Sequence, residues 1–249
     1  MNFLFQYVLV LADDSLILAQ RLSEWAYKAP FLEEDIALSN ISLDLFGRAT
    51  LFFEYAASIK NDDTDADDLA FKRHEREYVN HLLCEQPNGH FGDTIIRQFL
   101  FDSFYCLFLK ELSKSSDKQL VAIATKSIKE VTYHLRHSSK WVIRLGDGTS
   151  ESNKKIQESI NRLWMYSGEF FMMDEVDREM EKERIGVNRE ALKSIWLKNI
   201  KKVFNEAKVE IPAEVNMISG GKQGLHTEHL GHLLSEMQYL QRSFPDAKW

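Results

Sequence analysis

The chain has 249 residues, 44% hydrophobic and 12% aromatic, with 31 Lys+Arg against 38 Asp+Glu and a formal charge of −7. That length and apolar mass suffice for one large domain or two small ones. Net acidity excludes a protein that tracks phosphates over its whole surface, because displacing counterions needs a basic footprint, and leaves room only for a local basic patch.

Two cysteines, Cys84 and Cys106, supply neither a disulfide framework nor a four-thiolate metal site, which points to the reducing cytoplasm. Residues 1–11 are apolar but lack a cationic leader, and Asp13 and Asp14 interrupt the run, so it reads as the start of the first helix. The strongest hydrophobic stretch, residues 99–109, is broken by Asp102 and falls short of the ~20 residues that cross a bilayer. A soluble protein with no membrane contact is expected.

Four prolines and 11 glycines are too few for many short strands and turns. Pro30, Pro87, Pro212 and Pro245 all fall at junctions, and Gly146-Asp147-Gly148-Thr149 combines a helix stop with a polar N-cap. Between these breaks the apolar period is close to 3.6. The spacing predicts helices at 3–28, 33–60, 65–84, 92–113, 117–145, 150–165, 169–184, 189–208 and 228–243, and no strands. In the fifth, Ala124, Ile128, Val131, Leu135, Val142 and Leu145 form an apolar stripe. The expected architecture is all-α, a helical bundle in a single domain over residues 1–249, with the core bundle at 3–145 and accessory helices at 150–249.

Four of these helices carry an acidic residue in phase with positions that look interior. Glu24 shares a row with Ile17, Arg21 and Lys28; Asp44 lies with Ile41, Arg48, Leu51 and Tyr55. Asp102 interrupts Ile95, Phe99, Cys106 and Leu109, and Glu130 lies with Ile123, Ser127, His134, His137 and Trp141. One carboxylate per helix converging on a bundle interior is the ligand plan of ferritin-like di-iron proteins. Two irons also need an imidazole three residues after the carboxylate on two helices. Gly47 follows Asp44 at that distance and Tyr133 follows Glu130, so His134, one residue further, is the sole imidazole in reach. Arg21 and Arg48 stand one turn from Glu24 and Asp44, where a cation can neutralise the carboxylates in place of a metal. The expectation is a degenerate metal site, an ionic core with no metal bound by this chain.

Several segments are similar to one known family. They include Leu11-Ala12-Asp13-Asp14, Gln20-Arg21-Leu22-Ser23-Glu24-Trp25, Glu34-Asp35-Ile36-Ala37-Leu38 and Leu43-Asp44-Leu45-Phe46-Gly47. Further along stand Glu85-Gln86-Pro87-Asn88-Gly89, Tyr133-His134-Leu135-Arg136, Arg144-Leu145-Gly146-Asp147-Gly148-Thr149, His226-Thr227-Glu228-His229-Leu230-Gly231 and Glu236-Met237-Gln238-Tyr239. In order and spacing these resemble the structural, non-catalytic subunits of bacterial ring 1,2-phenylacetyl-CoA epoxidases. The resemblance implies a ferritin-like subunit that pairs with a homologous di-iron catalytic subunit, with a reductase delivering electrons. The iron would then lie in the partner. It also implies that Gly47 is the family's own pattern, whereas Phe46 and Arg48 are less usual.

Two competing functions follow from the residues. Glu24, Asp44, Asp102, Glu130 and His134 can be read as the carboxylate-rich metal site of an oxygenase in its own right. Gly220, Gly221 and Lys222 can be read as an anion loop for the phosphates of coenzyme A, although the P-loop spacing is absent and a plain hinge explains the glycines. Thr227 as N-cap with Glu228 in the first turn accounts for the residues beside His226 and His229. His74, His81 and His90 read as surface histidines.

Overall fold

A computed structural model describes residues 2–213, 215–245 and 247. Its helices are α1 (Phe3–Ser23), α2 (Leu32–Lys60), α3 (Ala66–Phe71), α4 (Leu82–Glu85), α5 (Phe91–Leu112), α6 (Lys118–Gly146), α7 (Ser150–Leu163), α8 (Glu175–Lys182), α9 (Arg189–Glu206), α10 (Glu228–Met237) and α11 (Tyr239–Ser243). Short 3-10 turns occupy Glu75–Glu77, Trp164–Phe171 and Gly221–Gln223. Among the described residues there is no strand, so the chain is all-α as its periodicity predicts.

Polar residues set the helix starts by accepting backbone N–H bonds that would otherwise go unmet. Asn2 accepts from the N–H of Phe5, Asp117 from Leu120, Thr149 from Ser152, Asp174 from Asp177 and Asn188 from Ala191. Helix α2 stops where Asn61 turns left-handed at φ 54°.

Four of the expected helices differ from the structure. α1 ends at Ser23, and residues 24–28 form turns in which Tyr27 takes φ 66° and donates its N–H to Asp35 Oδ2 at 2.7 Å. The expected helix at 65–84 is two short helices separated by the 3-10 turn at Glu75–Glu77 and extended chain. Buried acids on α1 capture its backbone: Val79 N–H donates to Asp13 and His81 N–H to Asp14, at 2.9 and 2.7 Å. The stretch expected at 169–184 is a 3-10 turn, then α8, which restarts at the capping box of Asp174 and Asp177. The last helix breaks at Gln238, whose buried amide donates to Arg73 O and Tyr78 Oη, both at 2.8 Å.

The contacts divide the chain into two compact units, residues 1–87 with 220–249 and residues 88–219. In the first, α1 packs along α2 and is buried on every side from Tyr7 to Ala19. Polar groups fix the pairing: Ser42 Oγ donates to Ala19 O at 2.8 Å and Arg48 Nε to Ser15 Oγ at 3.0 Å. By length and composition α1 and α2 would each suffice to cross a membrane, a property that the reading centred on residues 99–109 overlooks. In this fold 72% of the qualifying window of α1 is buried inside the protein.

In the second unit α5 lies against α6, α7 and α9 over an aromatic core. Phe104 stacks on Phe170 with centroids 4.7 Å apart and meets Phe171 edge-on at 5.5 Å, while Trp164 and Trp196 lie 5.4 Å apart. Arg189 is buried in the same unit, donating from Nε to Asp177 Oδ1 at 2.8 Å beneath the ring of Phe108.

Candidate functional site

The acidic residues singled out by sequence stand in different surroundings. Glu24 is the C-cap that follows α1, its side chain is one-third exposed, and it accepts from Arg21 Nη1 at 2.9 Å, the pairing expected of these two residues. Asp44 is half-buried on α2, and Arg48, one turn later, is buried on Ser15. In the second unit Asp102 is fully buried, and donors reach both of its oxygens: Gln98 Nε2 at 2.7 Å and Ser138 Oγ at 2.9 Å. Glu130 is half-buried, whereas His134 is fully buried, with its carbonyl oxygen 2.9 Å from the same Ser138 Oγ. The buried side of α6 is therefore shifted from the aliphatic stripe read from sequence. Ser127, His134 and Ser138 lie inside with Val131 and Val142, and Ile128, Leu135 and Leu145 are only half-covered.

A metal needs several donor atoms aimed at one point with their lone pairs free. Among the described residues no group of three His, Cys, Asp or Glu side chains is placed to hold one. Of the acids read from sequence, Asp102 has a side-chain donor at each oxygen and Glu24 faces the Arg21 guanidinium at the end of its helix.

Buried ionic groups concentrate instead at residues that the sequence reading did not assign. Asp13 and Asp14 are adjacent on a helix with no exposed side, so both carboxylates are buried and each requires partners. Asp13 is paired with Arg73, whose Nη1 lies at 3.0 Å from Oδ2 and whose Nη2 donates to Oδ1. Burial pushes the Asp13 carboxyl up from its usual value, against the opposing pull of Arg73 and the Val79 N–H. Arg73 also lies over the ring of Tyr78, 4.1 Å from its centroid, and burial raises that phenol. Asp14 holds the His81 ring through Nδ1 at 2.7 Å, so His81 is a core residue rather than a surface one; His74 and His90 are exposed as expected.

Glu85 is the centre of the second cluster, fully buried at the end of α4. Its Oε2 accepts from His226 Nδ1 at 2.8 Å and from Asn80 Nδ2 at 3.0 Å, and its Oε1 from the N–H and hydroxyl of Thr227 at 2.6 and 2.7 Å. Thr227 stands at the N-cap position of α10 as predicted, but its side chain serves Glu85 instead of the helix. Arg21 closes the cluster, donating to the backbone carbonyls of Glu85 and His229. A doublet of acids inside an apolar run was the available signal for Asp13 and Asp14. Two partners of Glu85, His226 and Thr227, lie 141 and 142 positions away in sequence, beyond any local pattern.

The glycine loop is shaped by packing. Gly220 takes φ 143°, and a Cβ on Gly221 would meet the carbonyl oxygen of Asn80 at 2.0 Å. The N–H groups of Gln223 and Leu225 donate to Gly220 O, and that of Gly224 to Gly221 O. These amides serve the loop's own carbonyls, and the half-exposed Lys222 stands beside an inward-facing turn.

Comparison with known proteins bears on the whole chain. It is 48% identical over 249 residues to one of the subunits of the 1,2-phenylacetyl-CoA epoxidase of Escherichia coli (strain K12), with 100% of both chains covered. The phenylacetic acid catabolic protein model matches residues 1–249, and the all-α structure agrees with the ferritin-like fold of that group. A match that runs unbroken from one end to the other, in a chain with this helix order, means that the protein belongs to the phenylacetic acid catabolic protein family.

Proposed function

We propose that this chain is the structural, metal-free subunit of a multicomponent phenylacetyl-CoA 1,2-epoxidase, acting in phenylacetate catabolism in the cytoplasm. It supports a homologous di-iron catalytic subunit, and a reductase within the same complex supplies electrons; the chain itself transfers none. Similarity to an epoxidase subunit supports a place in that pathway. The observation that carries the metal-free reading is the state of the carboxylates. Asp102, Asp13, Asp14 and Glu85, four of the fully buried acids, accept hydrogen bonds from side-chain and backbone donors of this chain. Groups so engaged fix segments of the fold in place, which is what a subunit without chemistry of its own requires.

Co-expression with the di-iron subunit tests the reading. A stable complex on size exclusion is expected, together with loss of solubility or epoxidation by the catalytic partner when this chain is left out. Full activity of the partner alone would refute it.

A further inference from the structure

We propose that the outer face of α6 is a docking surface for the acidic face of a partner protein. Lys118, Lys126, Lys129, Arg136, Lys140 and Arg144 are the only Lys and Arg residues of this 29-residue helix, and Glu130 is its one acid. At 3.6 residues per turn all six cations fall within an arc of about 80°, and Glu130 lies outside it. The arc's other helical residues are Ala122 and Tyr133, and all eight side chains are exposed. The stripe runs about 39 Å at 1.5 Å per residue.

Such segregation opposes the helix's own stability. Arg136, Lys140 and Arg144 are spaced four apart, and each like-charge pair at that spacing costs about 0.2 to 0.5 kcal/mol. Elsewhere in the same unit exposed lysines meet carboxylates one turn away: Lys114 with Glu111, Lys155 with Glu151 and Lys182 with Glu179, at 2.7, 2.6 and 3.1 Å. Among the described residues Lys126, Lys129, Arg136 and Lys140 make no such pair. Tyr133, 52% exposed midway along the stripe, adds an amphipathic side chain of the kind that anchors protein interfaces.

The charge distribution selects the occupant. The helix carries +5 on a chain of −7, so the remainder is strongly acidic. A uniformly charged polyanion or an anionic membrane extends past the stripe and is repelled by the acidic remainder, whereas a folded protein can present carboxylates to the stripe alone. A convex helix face also offers no enclosure for a small ligand.

Fluorescence anisotropy of a fluorescein-labelled hexaglutamate peptide, which spans at most about 22 Å and so stays within the stripe, with the full-length chain at low ionic strength tests the proposal. Wild type is expected to bind, with affinity falling as salt is added, and Lys129→Glu/Arg136→Glu/Lys140→Glu to bind at least about tenfold more weakly with an unchanged circular dichroism spectrum. Lys114→Glu/Lys155→Glu/Lys182→Glu, which alters net charge equally, is expected to stay closer to wild type. If the reversal variant fails to fold, Lys129→Gln/Arg136→Gln/Lys140→Gln, which relieves repulsion, is expected to show the weakening. Equal binding by stripe and control variants would overturn the proposal. So would tighter binding of duplex DNA or phosphatidylserine vesicles, or self-association in sedimentation that only the stripe variants abolish, since the occupant would then be a second copy.

Discussion

His226 locks two distant stretches of chain together through Glu85: its Nδ1 lies 2.8 Å from Glu85 Oε2, and its Nε2 lies 2.8 Å from the carbonyl oxygen of Tyr78. Both neighbours accept hydrogen bonds, so both ring nitrogens donate, and only the imidazolium does that. Burial favours the neutral ring, but the hydrogen bond and charge of Glu85, with the Tyr78 carbonyl, outweigh it and raise the His226 pKa above 6.5.

A raised imidazole pKa makes this lock pH-dependent. Its contribution is complete below the ordinary value of 6.5 and is lost as pH rises through the raised value, because the folded state then releases a proton it had held more tightly than the unfolded chain. Urea unfolding of wild type and His226→Gln across this range checks the sign. The stability gap between the two is expected to be widest on the acid side and to narrow as the solution becomes alkaline.

Removing the carboxylate is expected to do more damage than removing the ring. Glu85→Ala strips the acceptor from His226, Asn80 and Thr227 at once. Breaking a buried pair of this kind costs about 3 to 5 kcal/mol. Glu85→Gln keeps the shape and one acceptor, so chemical denaturation is expected to place it between the alanine variant and wild type.

Asp13 and Arg73 are expected to behave as one unit. Either Arg73→Met or Asp13→Asn alone leaves a buried partner without its counterpart, at a cost of about 3 to 5 kcal/mol for a broken pair. The double variant is expected to lose much less than the sum of the two. Strict additivity in the double-mutant cycle would show that the pair does not couple.

Two glycines are expected to respond to alanine in opposite directions. Gly47 lies exposed inside α2 with nothing within 4 Å of where a Cβ would stand, so Gly47→Ala is expected to raise the stability of the isolated chain by about 1 kcal/mol through helix propensity. Gly221→Ala forces a methyl against the Asn80 carbonyl and is expected to lower the melting temperature.

Most of the long helices were legible from their apolar period and polar caps, as at Asp117 before α6 and Asn188 before α9, whereas α2 starts after Phe31 with no side-chain cap. Residues 72–81 were not, since their helix-like composition is overridden by hydrogen bonds to Asp13 and Asp14, which lie more than sixty positions earlier. The same holds at the candidate site. Arg21 with Glu24 is a local, three-residue spacing and could be read directly. Asp102 was recognisable as a buried acid, but its contact with Ser138 depends on how α5 faces α6. His81 looked like a surface residue among polar neighbours until the fold brought Asp14 to it.

Metal content is the most direct measure of whether this subunit has chemistry of its own. Elemental analysis of the purified chain, expressed with iron in excess, is predicted to find no stoichiometric transition metal, and Asp44→Ala or Asp102→Ala is predicted to change stability without changing metal content. Two irons held per chain and released by either substitution would contradict the account.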